Sequence, residues 1–216
     1  MKFKKSSFSL AVGFLAAFLL WTAALRLVDV QPIGPMGSAV GFAAMNRFVH
    51  DLTGVHMPLY TLTDRLSLIP LGFILGFASL GLLQWIRRKQ LRLVDSSILV
   101  LGGFYMTVMA VYLFFESVAI NYRPILINGV LEASYPSSTT VLVLCVIPTA
   151  ILQFQTRIKN PSIRRWIIGT LTAFMIFMVI GRLLSGVHWL SDIIGGSLLS
   201  TGLVLMYDSL AGLEPK

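Results

Sequence analysis

Gly181-Arg182-Leu183-Leu184-Ser185-Gly186-Val187-His188-Trp189-Leu190-Ser191-Asp192 sets an arginine, a histidine and an aspartate into an otherwise apolar stretch. Ionisable groups in a membrane segment are costly unless they pair or face water, so by default they mark a functional site. His188 and Asp192 are four residues apart and fall on one face of a helix. A carboxylate so placed holds one imidazole nitrogen and leaves the other free as a base or nucleophile.

Outward from this stretch the chain is a membrane protein. Its 216 residues are 56% hydrophobic and 12% charged, whereas a soluble domain carries about 25% charged residues. The apolar residues run in blocks, and six of these have the roughly 20 residues that cross a hydrocarbon core. The blocks are Phe8–Leu27, Leu66–Ile86, Ser97–Val118, Ser137–Phe154, Trp166–Leu184 and His188–Tyr207. The fourth and sixth carry the weakest apolar signal, because polar residues crowd their starts. The expectation is an all-α polytopic membrane protein with six transmembrane helices, forming one membrane domain over 1–216. The first block is read as a span rather than a cleaved leader, since the alternation of basic and apolar segments needs it. Segment 30–65 is a long outer loop in which Ser38–Val49 is a candidate interfacial helix, and Met57–Tyr60 suits a membrane surface. Gly72 and Gly76 read as a helix-packing face. Trp85, Trp166 and Trp189 read as interface anchors.

The net charge of +8 would fit a nucleic-acid binder, but its distribution argues against that partner. Eleven of the 17 Lys and Arg fall in three clusters: Lys2, Lys4 and Lys5; Arg87, Arg88, Lys89 and Arg92; and Arg157, Lys159, Arg164 and Arg165. Such clusters anchor cytoplasmic loops against anionic lipid. Both termini are then cytoplasmic, and His50, Asp51, Arg123, Glu132 and Arg182 lie on the outer face. Basic inner loops suit a bacterial plasma membrane. The single cysteine, Cys145, cannot form an internal disulfide. His50, Asp51 and His56 fit no usual zinc spacing, so no metal is expected.

Three polar elements share the outer face. They are Asn121-Tyr122-Arg123-Pro124, Tyr135-Pro136-Ser137-Ser138-Thr139-Thr140, and the run from Arg182 through His188 to Asp192. Two guanidinium forks match phosphate oxygens. Pro136 followed by four hydroxyl residues opens a helix, whose free N–H groups and dipole favour an anion. His188 backed by Asp192 is suited to attack phosphorus. Each element also has a plainer reading. The Arg182, His188 and Asp192 set reads as an interfacial ion pair, Arg123 as a headgroup anchor, Ser137 to Thr140 as a helix cap, and Glu116 and Glu132 as solvated charges.

These residues resemble the type 2 phosphatidic acid phosphatase superfamily, which includes the vanadium haloperoxidases. Its motifs are Lys-x6-Arg-Pro, Pro-Ser-Gly-His and Ser-Arg-x5-His-x3-Asp. Arg123-Pro124 resembles the end of the first, Pro136-Ser137-Ser138-Thr139 the second, and Gly181-Arg182-x5-His188-x3-Asp192 the third. The resemblance covers about 60–207. It implies His188 as nucleophile, Asp192 as its orienter, and Arg123, Ser137, Ser138 and Arg182 as phosphate contacts. Three positions depart from the pattern: Glu116 replaces the lysine, Gly181 a serine, and Thr139 the histidine that serves as general acid. Tyr135, Glu132 and Glu116 are substitute acids by sequence proximity only.

A monoester expels an alkoxide, whose protonation is worth about 10²–10⁴-fold. A diphosphate expels a phosphate, a much weaker base. The expected activity is therefore removal of phosphate from a lipid phosphate or diphosphate at the outer leaflet, without a cofactor. A polyprenyl diphosphate of envelope synthesis fits best, with phosphatidate and phosphatidylglycerophosphate as rivals. A lipid phosphotransferase and a non-catalytic lipid-phosphate binder or transporter are the alternatives. The expected partners are the lipid substrate and membrane lipids.

Overall fold

The computed structural model describes residues 4–213. Its helices are α1 (Lys5–Leu27), α2 (Ala43–Thr53), α3 (Met57–Leu66), α4 (Leu68–Arg88), α5 (Ser96–Ser117), α6 (Ser138–Arg157), α7 (Pro161–Leu184) and α8 (Leu190–Ala211). Among the described residues six helical stretches are long and apolar enough to cross a membrane, with α3 and α4 counted as one. The protein is an all-α integral membrane protein, and the six expected spans fall on these stretches, the expected Leu66–Ile86 matching α4 alone while the stretch begins at Met57. Of the first basic cluster, Lys2 lies outside the described residues.

Local chemistry sets the boundaries. Asn160 caps α7, its side-chain oxygen accepting from the Ser162 and Ile163 N–H groups at 2.9 and 3.2 Å, and Pro161 occupies the first turn, where its missing N–H costs nothing. Pro70 lies in the first turn of α4. It cannot donate back to Leu66, which accounts for the break at Ser67 between α3 and α4. The expected interfacial helix Ser38–Val49 is corrected to Ala43–Thr53, and α3 was not anticipated.

Helices α6 and α8 form the inside of the bundle. Of their apolar windows 56% is buried, against 11–22% for the other spans. This explains their weak apolar signal: interior helices pack on one another and do not need a lipid-facing surface. Small residues on α8 permit close approach. A Cβ at Gly195 would lie 2.3 Å from the Tyr135 ring.

The described residues of the three basic clusters lie at one end of the bundle. Helix α4 runs toward Arg88, α6 toward Arg157, and α7 starts at Pro161. There Asp95 accepts from Gln84, Arg88 and Arg157. Lys4 pairs with Asp208 at 2.9 Å, so the start of α1 and the end of α8 meet at this same end. The α6 N-terminus and the α7–α8 turn lie at the opposite end.

Candidate active site

Segment 121–134 folds back on itself as a short hairpin. Asn128 and Gly129 form its turn with φ of 50° and 78°, the left-handed pair that a two-residue hairpin turn requires. Tyr122 bridges Ala133 and Ile127 bridges Val130. The Arg123 N–H donates to the Glu132 carbonyl at 3.0 Å. The turn therefore sets Arg123 and Glu132 side by side, and Arg123 Nε donates to Glu132 Oε2 at 2.9 Å. The Asn-Gly dipeptide is the sequence signal for this hairpin, and the sequence reading passed over it.

His188 lies in the turn between α7 and α8. Trp189 caps α8, and Asp192 Oδ2 reaches back to accept the Trp189 N–H at 3.0 Å. The same oxygen is 3.5 Å from His188 Nδ1, and Asn121 Nδ2 is 3.4 Å from the other carboxylate oxygen. On the far side of the ring, Arg123 Nη1 donates to His188 Nε2 at 3.2 Å. A guanidinium has no lone pair to offer and keeps its protons, so Nε2 is the acceptor nitrogen and the imidazole proton sits on Nδ1, facing Asp192. Burial, and after it Arg123 and Arg182, hold the His188 imidazole well below its ordinary value. The ring is thus neutral, with its lone pair directed toward a cation.

Trp189 is not the interface anchor expected of it. It is 3% exposed, and its indole N–H donates to the Tyr122 carbonyl at 2.7 Å, tying the His188 turn to the Arg123 hairpin. Trp85 and Trp166 are exposed, as anchors would be.

A cavity of about 490 Å³ opens beside His188. Arg123, Glu132, Ser138, Thr139 and Glu116 line it together with His188. Below them the wall becomes apolar, with Leu71, Val108 and Leu142. Ile74 and Tyr105 border both this cavity and an apolar groove of about 580 Å³ between α4 and α5.

The remaining expected residues fall as follows. Ser137 is fully buried, and its hydroxyl accepts from Thr140 at 3.0 Å. Its N–H donates to the Asp192 carbonyl at 3.2 Å. It borders the site from behind, while Ser138, half-buried, and Thr139, buried, line the cavity at the start of α6. Tyr135 borders the cavity, but its hydroxyl pairs with Thr22 of α1 at 2.6 Å. Burial pushes that phenol up. Arg182 is 1% exposed. Its guanidinium lies over the Tyr60 ring at 4.9 Å, 3.5 Å from Thr63 Oγ1 and 3.8 Å from Asp64. Asp64 itself lines the cavity. Sequence reading missed Asp64, although an acidic residue beside Arg65 interrupts the apolar run there.

A neutral imidazole between a carboxylate and a guanidinium, at the wall of a half-polar, half-apolar cavity, is equipped to attack the phosphorus of an amphiphile. A family model described as PAP2 superfamily matches residues 101–210. The fold is similar to the crystal structure of the first transmembrane PAP2 type phosphatidylglycerolphosphate phosphatase from Bacillus subtilis. The TM-score is 0.58 at 18% sequence identity, covering 92% of this chain and 94% of that one. A search of curated proteins gives no match.

Proposed function

This chain belongs to the PAP2 superfamily and is a membrane phosphoric ester hydrolase acting on lipid phosphate, and from that premise we propose that it removes the terminal phosphate of a lipid diphosphate at the outer leaflet. His188 Nε2 attacks the terminal phosphorus. The P–O bond to the inner phosphate breaks, and the electron pair leaves with the lipid monophosphate. A phosphoryl group remains on Nε2, and the positive charge gained by the ring is balanced by Asp192 through Nδ1–H. Water then attacks the phosphorus, the P–N bond breaks, and inorganic phosphate leaves with its proton shared to solvent. Arg123 and the N–H groups at the start of α6 hold the phosphate oxygens, with the Ser138 hydroxyl beside them and the buried Arg182 adding positive charge from behind the cavity wall.

The contact between Arg123 Nη1 and His188 Nε2 at 3.2 Å carries this reading. It puts the unprotonated ring nitrogen next to the cation that phosphate would meet. Thr139 in place of an acid supports the diphosphate, whose leaving group departs with little protonation. The apolar groove between α4 and α5 gives the lipid chain a place continuous with the site. The basic clusters at the opposite end support an outer-face site and cytoplasmic termini. Phosphate release by the purified protein, from matched lipid mono- and diphosphates, tests the proposal. Turnover of the diphosphate lost in His188→Ala supports it. Binding without release of phosphate from either lipid would overturn it in favour of a binder.

A further inference from the structure

We infer that Asn46, on α2, is a positioning residue for the His188–Asp192 pair, which it reaches through Ser191; this rests on the catalytic reading of His188. Asn46 is fully buried. Its Oδ1 accepts from the Ser191 N–H at 3.0 Å, and its Nδ2 donates to Ser191 Oγ at 2.9 Å and to the Gly41 carbonyl at 2.8 Å. One amide therefore makes three bonds, two of them to the residue that precedes Asp192. Asn121 Nδ2 is 3.4 Å from both Ser191 Oγ and Asp192 Oδ1, which continues the chain of contacts to the carboxylate.

The other end of the His188 turn is gripped by the same outer-face segment. The His56 N–H donates to the Ser185 carbonyl at 3.0 Å. Gly186 has φ of 69°, and a Cβ there would lie 2.0 Å from the Gly54 carbonyl oxygen. Between these two fixed points the His50 ring packs on Trp189 at 5.4 Å. Segment 41–56 thus holds the turn at Ser185–Gly186 and again at Ser191, with His188 in the middle. It lies outside the stretch matched by the family model, and it bounds the freedom of the one ring whose aim decides attack on phosphorus.

Residues that hold the ligands of a metal site from behind are worth about 10–100-fold, and the same order is expected for one that holds a catalytic turn. Asn46→Ala is therefore expected to lower kcat by about 10–100-fold, with KM held within about threefold, because the phosphate contacts of Arg123 and Ser138 are untouched. Ser191→Ala removes one of the two Asn46–Ser191 bonds and is expected to do the same more mildly. Since both act through the same Asn46–Ser191 pair, the losses should not multiply in the double variant. A wild-type kcat in both single variants, a rise in KM at constant kcat, or losses that multiply in the double variant would each overturn the inference. If Asn46→Ala does not fold, Ser191→Ala decides alone, with unchanged kcat as the overturning result. Wild-type protein and His188→Ala are run in parallel. Wild type that releases no phosphate, or an active His188→Ala, overturns the catalytic reading and this inference with it. Active wild type, inactive His188→Ala and fully active Asn46→Ala overturn the inference alone.

Discussion

Arg123 Nη1 donates to His188 Nε2 across 3.2 Å. The cation therefore caps the ring nitrogen that the proposed mechanism makes the nucleophile, and in that mechanism an incoming phosphate takes over the guanidinium before the lone pair is free. Glu132 on the other edge of Arg123, at 2.9 Å, fixes the plane of the fork. Lysine has no fork and cannot serve carboxylate and phosphate together. Arg123→Lys is expected to reduce kcat/KM by about 10²–10³-fold, the usual cost of losing one oxyanion donor. Steady-state kinetics beside a thermal melt checks this; lysine at near-wild-type efficiency would mean that charge alone suffices.

His188 sits well below its ordinary 6.5, chiefly through burial and then through Arg123 and Arg182. The proposed attack needs the neutral ring, so the acid limb of kcat/KM is expected below pH 6.5, with activity falling as pH drops through that limb. The same shift bears on stability. The unfolded chain binds a proton that the folded site refuses, so stability falls as pH decreases below the unfolded value. A pH profile of kcat/KM together with melts across the same range measures both. An acid limb above 6.5 would contradict the expected direction.

Thr139 lines the cavity beside Ser138 and His188. The protein is expected to prefer a diphosphate to the matched monophosphate lipid, and Thr139→His should raise monoester kcat/KM most, by up to about 10²–10⁴-fold. The comparison is kcat/KM on both lipids in both proteins. A monoester preference in the unmodified chain would place the proton donor elsewhere, with the cavity carboxyls Asp64, Glu116 and Glu132 as the residues to replace next.

Val130, at the tip of the Arg123 hairpin, is 58% exposed. In a Cys145→Ala background, Val130→Cys is expected to react with a membrane-impermeant thiol reagent on intact cells. Gln90→Cys, beside the basic cluster at the other end, should react only after permeabilisation. The reverse pattern would move the site to the cytoplasmic leaflet.

Much of this was legible in the sequence because a membrane enforces long apolar blocks and basic inner loops. Spans α4, α5 and α7 stand out for that reason. The faint signal of α6 and α8 had a physical cause, since Thr140, Ser191 and Ser200 face protein, where small polar residues pack and bond. Local spacing exposed His188 and Asp192, which share one turn of chain. Partners brought together by folding had no such signature. Tyr135 is a neighbour of Ser137 in sequence, yet its hydroxyl belongs to Thr22, 113 residues away. Asn46 meets Ser191 across 145 residues, and a lone asparagine in an apolar segment does not announce that. The Asn128-Gly129 turn was readable, and it would have placed Arg123 opposite Glu132.

The central claim is that His188 Nε2 carries the phosphoryl group. The most direct test is rapid quenching of the protein with a lipid diphosphate radiolabelled in its terminal phosphate, followed by analysis of the denatured chain. The expected result is label that is stable in alkali, labile in acid, confined to the peptide containing His188, and absent in His188→Ala. Full turnover with no such label, or label that survives in His188→Ala, would contradict the covalent mechanism.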